Sequence, residues 1–161
     1  MKSFVDKMQA AQIGLGGIFL IIFLVTVVIQ MACRYLSISA MWTGEVAQYS
    51  FIWAVFTGAG AMVHSKAHFA FASLQDGLKN ERAKIILQLI IDIIMLVFAV
   101  LMLIYGIVAA KQFWSNKWIA FPTISRGPTW LCIPFCGLTS TIYLLYSIYE
   151  DFGKLKKGGN A

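Results

Sequence analysis

Arg34 and Glu45 are the one cation and the one carboxylate in the stretch from Arg34 to Trp53, and they are interleaved with Tyr35, Trp42, Gln48, Tyr49 and Trp53. The stretch lies between two long apolar runs, at what reads as a membrane boundary, where an ionisable group is costly unless it meets water or a partner. Two kinds of chemistry fit. Arg34 and Glu45 can pair and tie together the ends of two neighbouring helices, with Trp42 anchoring the corner. Buried at a junction, such a pair is worth several kcal/mol against removal of one partner; exposed, it is worth about 0 to 1 kcal/mol. Alternatively, Arg34, Tyr35 and Glu45 converge on a lipophilic substrate or cofactor, as a small four-helix membrane enzyme would require.

The remaining reactive residues point away from catalysis. His64 and His68 share one loop at helical spacing, without a Cys, Asp or Glu nearby to complete a metal site. Cys33, Cys132 and Cys136 are odd in number and form neither a disulfide framework nor a C-x-x-C motif. Small buried packing residues is the reading for them, although Cys33 and Cys132 could meet if the first and last spans are neighbours. No phosphate-binding glycine loop and no Ser/His/Asp set on one membrane side can be assembled. Asp92, with Gln88 one turn earlier, is an intramembrane acid near a boundary; hydrogen bonding within the bundle is favoured over ion handling or a subunit contact. Gln30, the lone polar group in the outer half of the first run, is expected to bond another helix. No cofactor is expected in this chain.

These groups need elements to hold them, and composition says which. Of 161 residues 60% are hydrophobic and 12% charged, about half the charge of a soluble domain. Charge-free runs long enough to cross a bilayer as helices place spans at about 10–33, 46–63, 85–110 and 128–149. The expectation is an all-α integral membrane protein: a single four-helix domain over 1–161 whose first run is a retained span rather than a cleavable signal. Nine Lys and Arg lie on the side of the termini and the middle loop, and Arg34, Lys111, Lys117 and Arg126 lie opposite. That places both termini in the cytoplasm. The net charge of +6 then reflects topology and contact with anionic membrane lipids, not nucleic acid.

Within the second span, Ala47, Ser50, Ala54, Gly58 and Ala61 recur every three or four residues. Such a small-residue stripe lets helix backbones approach closely, either inside the bundle or against another subunit. Between spans two and three, Phe71, Leu74 and Leu78 share a helical face, so a short amphipathic interfacial helix is expected at about 67–79. The loop before span four holds Trp114 and Trp118, with Trp130 just beyond, as boundary anchors. Pro134 predicts a kink or a late helix start.

Taken together, Arg34-Tyr35, then Trp42-Thr43-Gly44-Glu45-Val46-Ala47-Gln48-Tyr49-Ser50-Phe51-Ile52-Trp53, then Gly58-Ala59 and a loop with Lys66 and His68, resemble the DctQ-like small membrane subunit of tripartite ATP-independent periplasmic (TRAP) transporters. A late Trp130 and Pro134 are similar too. The family often has two adjacent acids where this chain has Gly44 and Glu45, and often Arg where Gln48 stands. The resemblance implies an accessory subunit in the bacterial inner membrane. Its partners would be a large, sodium-coupled, elevator-type permease subunit, which would hold the sodium, and a periplasmic binding protein for an organic acid such as a dicarboxylate or a sialic acid. It also implies that Arg34, Tyr35, Trp42, Glu45, Gln48, Tyr49, Trp53 and Gly58 form a subunit-interface motif. Lys111, Lys117 and Arg126 would then offer the binding protein a positive outer rim. The alternative remains the small four-helix membrane enzyme.

Overall fold

A computed structural model of the chain describes residues 2–65 and 81–157. The expected interfacial helix at 67–79, with Lys66, His68 and Lys79, lies outside the described residues. The described residues form five helices: α1 (Lys2–Tyr35), α2 (Met41–His64), α3 (Glu81–Gln112), α4 (Gly127–Trp130) and α5 (Cys132–Lys157). α1, α2, α3 and the α4–α5 pair give four helices long and apolar enough to cross a membrane. The helices run past the charge-free stretches at both ends, because charged residues near a boundary reach water without interrupting the backbone ladder.

α1 packs on α2, α2 on α5, and α5 on α3, so α2 and α5 form the middle of the bundle. The periphery is apolar outward: only 17% of the most apolar stretch of α1, and the same of α3, is buried, against 44% for the last span. Ile21, Leu24 and Val28 on α1 and Ile94, Val97 and Phe98 on α3 are exposed. Among the described residues none covers these faces, which suit lipid or a partner.

Asp6 at the start of α1 lies 2.8 Å from His64 at the end of α2. Phe4 lines one groove with Tyr146 and Tyr149 of α5. The beginning and the end of the chain therefore occupy the same end of the bundle. The opposite end, called the loop end below, carries the α1–α2 and α3–α4 connections. At the first of these, Ile38 N–H donates to the Cys33 carbonyl and Ser37 N–H to that of Arg34, a Schellman closure. Its left-handed position is held by Ser37 at φ 55°, where glycine is favoured. Ser37→Gly is expected to stabilise the purified protein by about 0.5–1 kcal/mol in thermal unfolding.

The last span breaks where its proline dictates. Pro134 has no N–H for the Trp130 carbonyl, and the helix is interrupted at Leu131, between α4 and α5. Phe135 N–H donating to the Leu131 carbonyl, 3.1 Å, resumes the ladder.

Polar groups in the spans bond to one another. Gln12, 3% exposed, accepts from the Tyr143 hydroxyl at 2.8 Å and donates to Thr139 Oγ1 at 3.1 Å, joining α1 to α5. A Cβ on Gly60 would stand 2.5 Å from the Gln12 amide nitrogen, so this glycine opens the path between the two helices. Asp92, 3% exposed, accepts from Gln88 at 2.7 Å and from the Ser147 hydroxyl at 2.6 Å, tying α3 to α5. Both carboxylate oxygens thus have donors from within the bundle. Asp92→Leu would remove the acceptor that Gln88 and Ser147 share and is expected to cost about 1–3 kcal/mol in detergent unfolding. Asp92→Asn, which keeps one acceptor, should cost less, under about 1 kcal/mol in the same measurement. Gln30 differs from expectation: it is exposed at the α1 surface, its amide 3.6 Å from where a Gly44 Cβ would be. The neighbour it meets there is Gly44 of α2, which offers no side-chain partner for the amide.

Candidate functional site

The α3–α4 connection folds back as a small hairpin. Trp118 N–H donates to the Ile124 carbonyl at 3.0 Å and Arg126 N–H to that of Asn116 at 2.7 Å, with a single bridge between Lys117 and Ser125. Pro122 lies in the turn, where Ile124 N–H donates to the Phe121 carbonyl at 2.9 Å. The Ser125 hydroxyl closes the base by donating to the Trp114 carbonyl and accepting from Gly127 N–H. Gly127 is required there, since a Cβ would stand 2.5 Å from the Trp114 ring.

This hairpin lies over the start of α2, and Glu45 holds it. The carboxylate accepts from Ile119 N–H at 2.8 Å, Ala120 N–H at 2.9 Å and Arg126 Nη2 at 2.9 Å. Its side chain is only 12% exposed and that of Arg126 is 29% exposed, so the pair lies between a surface salt bridge and a buried one. Tyr49, one turn further along α2, packs its ring at 4.6 Å from that of Trp118. The Arg126 guanidinium lies 6.0 Å from the same ring, at the edge of cation–π range. A carboxylate, a phenol, an indole and a guanidinium are thus locked together by residues 45–126.

Arg34 is not part of this clamp. It is exposed and makes no ion pair among the described residues, so the expected Arg34–Glu45 tie is corrected to Glu45–Arg126. The reason is one of supply: the hairpin brings two backbone N–H groups and a guanidinium to one carboxylate, while Arg34 ends a peripheral helix. Tyr35, 91% exposed, stands outside as well, and Trp42 is exposed beside the hairpin, lining a groove with Ile119 and Phe121. The positive rim is thinner than expected for the same reason. Lys111 and Lys117 are exposed, but Arg126 is half-buried against Glu45.

The other motif residues pack internally. Trp53 stacks on Phe19 of α1 at 5.3 Å and lies 6.2 Å from Phe135 of α5, joining three helices. Along the small-residue stripe, Ala47, Ser50 and Ala61 are buried. Ala54 and Gly58 are half-buried near Gly16 of α1, whose own Cβ would meet Thr57 Oγ1 at 2.8 Å and the Ala54 carbonyl at 3.6 Å. A Cβ on Gly58 itself would meet nothing within 4 Å. Gln48 is exposed. Of the tryptophans, Trp114 is exposed, whereas Trp118 is half-buried on Tyr49 and Trp130 stacks on Phe113 at 4.6 Å. All three cysteines are free thiols, and Cys132 is fully buried while Cys33 is only partly so. Among the described residues, no three His, Cys, Asp or Glu side chains gather as a metal-binding group.

Sequence reasoning missed the hairpin donors Ile119 and Ala120, because backbone N–H groups carry no signal in residue type. It also missed Gln12 and Tyr143, though a polar residue within a charge-free run was a usable sign.

The class is defined by these features: an all-helical protein with four candidate spans, in which buried polar side chains such as Gln12, Tyr143 and Asp92 join helices and Glu45 holds one hairpin. Residues 23–154 match the family of tripartite ATP-independent periplasmic transporters, DctQ component, and the chain belongs to that family. The matched stretch contains Glu45, the hairpin and Arg126. No curated protein matches the chain. Membership makes it the small membrane component of a TRAP transporter, associated with a large permease and a binding protein, and a transporter component rather than an enzyme.

Proposed function

We propose that this chain is the accessory small subunit of a sodium-coupled, binding-protein-dependent secondary transporter importing an organic acid, of dicarboxylate or sialic-acid type, across a bacterial inner membrane. It enlarges the static scaffold of the large elevator-type permease subunit, which carries the sodium and substrate sites, and helps receive the periplasmic binding protein. One observation carries this reading most directly: the buried Gln12 pairs with the buried Tyr143, and the buried Asp92 with the half-buried Ser147, each across two helices. Groups satisfied in this way specify packing and are not free to solvate a passing ion. The apolar outer faces of α1 and α3 supply area for a membrane partner.

The charge asymmetry of nine basic residues against four supports cytoplasmic termini, which makes the loop end periplasmic. The binding protein then meets the hairpin, with Lys111 and Lys117 exposed beside it and Arg126 bracing it from within. Replacing both lysines by Gln is expected to raise the binding-protein concentration for half-maximal uptake roughly five-fold at low salt, equivalent to about 1 kcal/mol, and less at high salt. Unchanged uptake would remove the rim from the account.

Assembly is tested by affinity purification through a tag on this chain. A many-span partner should elute with it in fixed ratio from mild detergent. A chain that elutes alone or as a homotrimer would contradict the proposal and favour the enzyme reading.

A further inference from the structure

Behind the hairpin lies a cavity of about 380 Å³ that no part of the clamp fills. Asn116, Arg126 and Thr129 line its loop-end part, and Ile52, Phe56 and Ile133 line its deeper part. From Tyr49 through Ile52 to Phe56 the lining follows α2 for two turns, about 10 Å along the helix toward the bilayer middle. The cavity is therefore polar at the membrane boundary and apolar below it. Its polar part also has spare donor capacity. Arg126 Nε is buried and has no hydrogen-bond partner, although Nη2 of the same guanidinium is bonded to Glu45. Glu45 is shared with two backbone N–H groups, so it does not absorb the whole guanidinium. A buried charged donor left unpaired is unfavourable, and an acceptor entering the cavity would relieve that.

We propose that this cavity binds one phospholipid of the leaflet at the loop end. The phosphodiester accepts from the Arg126 guanidinium, with the Asn116 amide and the Thr129 hydroxyl beside it, and one acyl chain lies against Ile52, Phe56 and Ile133. A free phosphate would satisfy the donors but leave the apolar part empty. A neutral apolar molecule would do the reverse. The site is a property of this chain and holds whichever solute the transporter carries.

Native mass spectrometry of the full chain, purified with its membrane partner, tests this with three probes: phosphatidylglycerol, a diacylglycerol lacking phosphate, and glycerol 3-phosphate lacking acyl chains. The expected result is one phosphatidylglycerol retained per chain after detergent release, with the other two retained at least ten-fold less. Ile52→Phe fills the apolar part without touching the clamp, and should lower the tightly held lipid count by one while the complex stays intact. Arg126→Gln should show the same loss, and if it fails to fold the Ile52→Phe result decides. Equal lipid retention by Ile52→Phe and wild type overturns the proposal. So does retention of diacylglycerol or of glycerol 3-phosphate at the phospholipid's level.

Discussion

Glu45→Gln is expected to lower the thermal midpoint of the detergent-solubilised protein by roughly 5–10 °C, corresponding to about 2–4 kcal/mol. The carboxylate is the joint between the hairpin and α2. It accepts from Ile119 N–H, Ala120 N–H and Arg126 at 2.8–2.9 Å, and its removal leaves a half-buried guanidinium whose Nε already lacks a partner. Breaking a fully buried pair costs about 3–5 kcal/mol. The 29% exposure of Arg126 reduces that figure, because water screens part of the stranded charge. An amide at position 45 keeps one acceptor but loses the charge, so Glu45→Ala should be worse than Glu45→Gln. Two comparisons separate this account from general fragility. Arg34→Ala should shift the midpoint by less than the equivalent of about 0.5 kcal/mol, since that side chain is exposed and unpaired among the described residues. The double variant Glu45→Gln/Arg126→Met should recover part of the loss, because the buried charge goes together with its partner. A Glu45→Gln protein as stable as wild type would show that the hairpin is held by Trp118 on Tyr49 and not by the carboxylate.

Gly137→Ala should be as damaging, for a reason that has no electrostatic part. A Cβ at Gly137 would stand 2.6 Å from Leu103 N, 2.9 Å from Leu103 Cα and 3.0 Å from the Ala99 carbonyl oxygen. All three are backbone atoms of α3, so no side chain can rotate out of the way. One turn further along the same contact, Gly106 of α3 abuts Pro134 and Ile133 of α5 at 2.8–2.9 Å from its would-be Cβ. The two glycines, one on each helix, let α3 and α5 approach closely, and in a membrane such packing replaces the missing hydrophobic drive. Overpacking typically costs about 1–3 kcal/mol, and the rigid surroundings place Gly137→Ala at the upper end, while Gly137→Val is expected to separate the helices. Gly58→Ala supplies the contrast. Its Cβ would meet nothing within 4 Å, so the isolated protein should gain up to about 1 kcal/mol from helix propensity alone. If Gly58→Ala and Gly137→Ala behaved alike in thermal unfolding, close packing would not be what joins α3 to α5.

The spans were legible because charge in this sequence is segregated and a helix is the only local way to satisfy a backbone in lipid. Pro134 marked the break before α5 through a missing donor, which is a local effect and therefore readable. Tertiary partners were not. Glu45 and Arg126 lie 81 residues apart, and no periodicity links them. The nearer cation, Arg34, was the natural partner for Glu45 by proximity in sequence, and proximity in sequence misled. The small-residue stripe of α2 showed where backbones approach, since Ala47, Ser50 and Ala61 are buried. The tightest approach, at Gly106 and Gly137, lies on helices whose glycines follow no such repeat. Gln12 and Tyr143 bond across 131 residues, a link that only the fold creates.

Under the proposed function this chain is a scaffold that moves nothing alone, and reconstituted uptake tests that proposal most directly. Proteoliposomes are loaded with this chain alone, with the large permease subunit alone, or with both, and binding protein with its organic acid is supplied outside under a sodium gradient. Uptake is predicted only where both membrane subunits are present. Uptake by this chain alone would contradict the account.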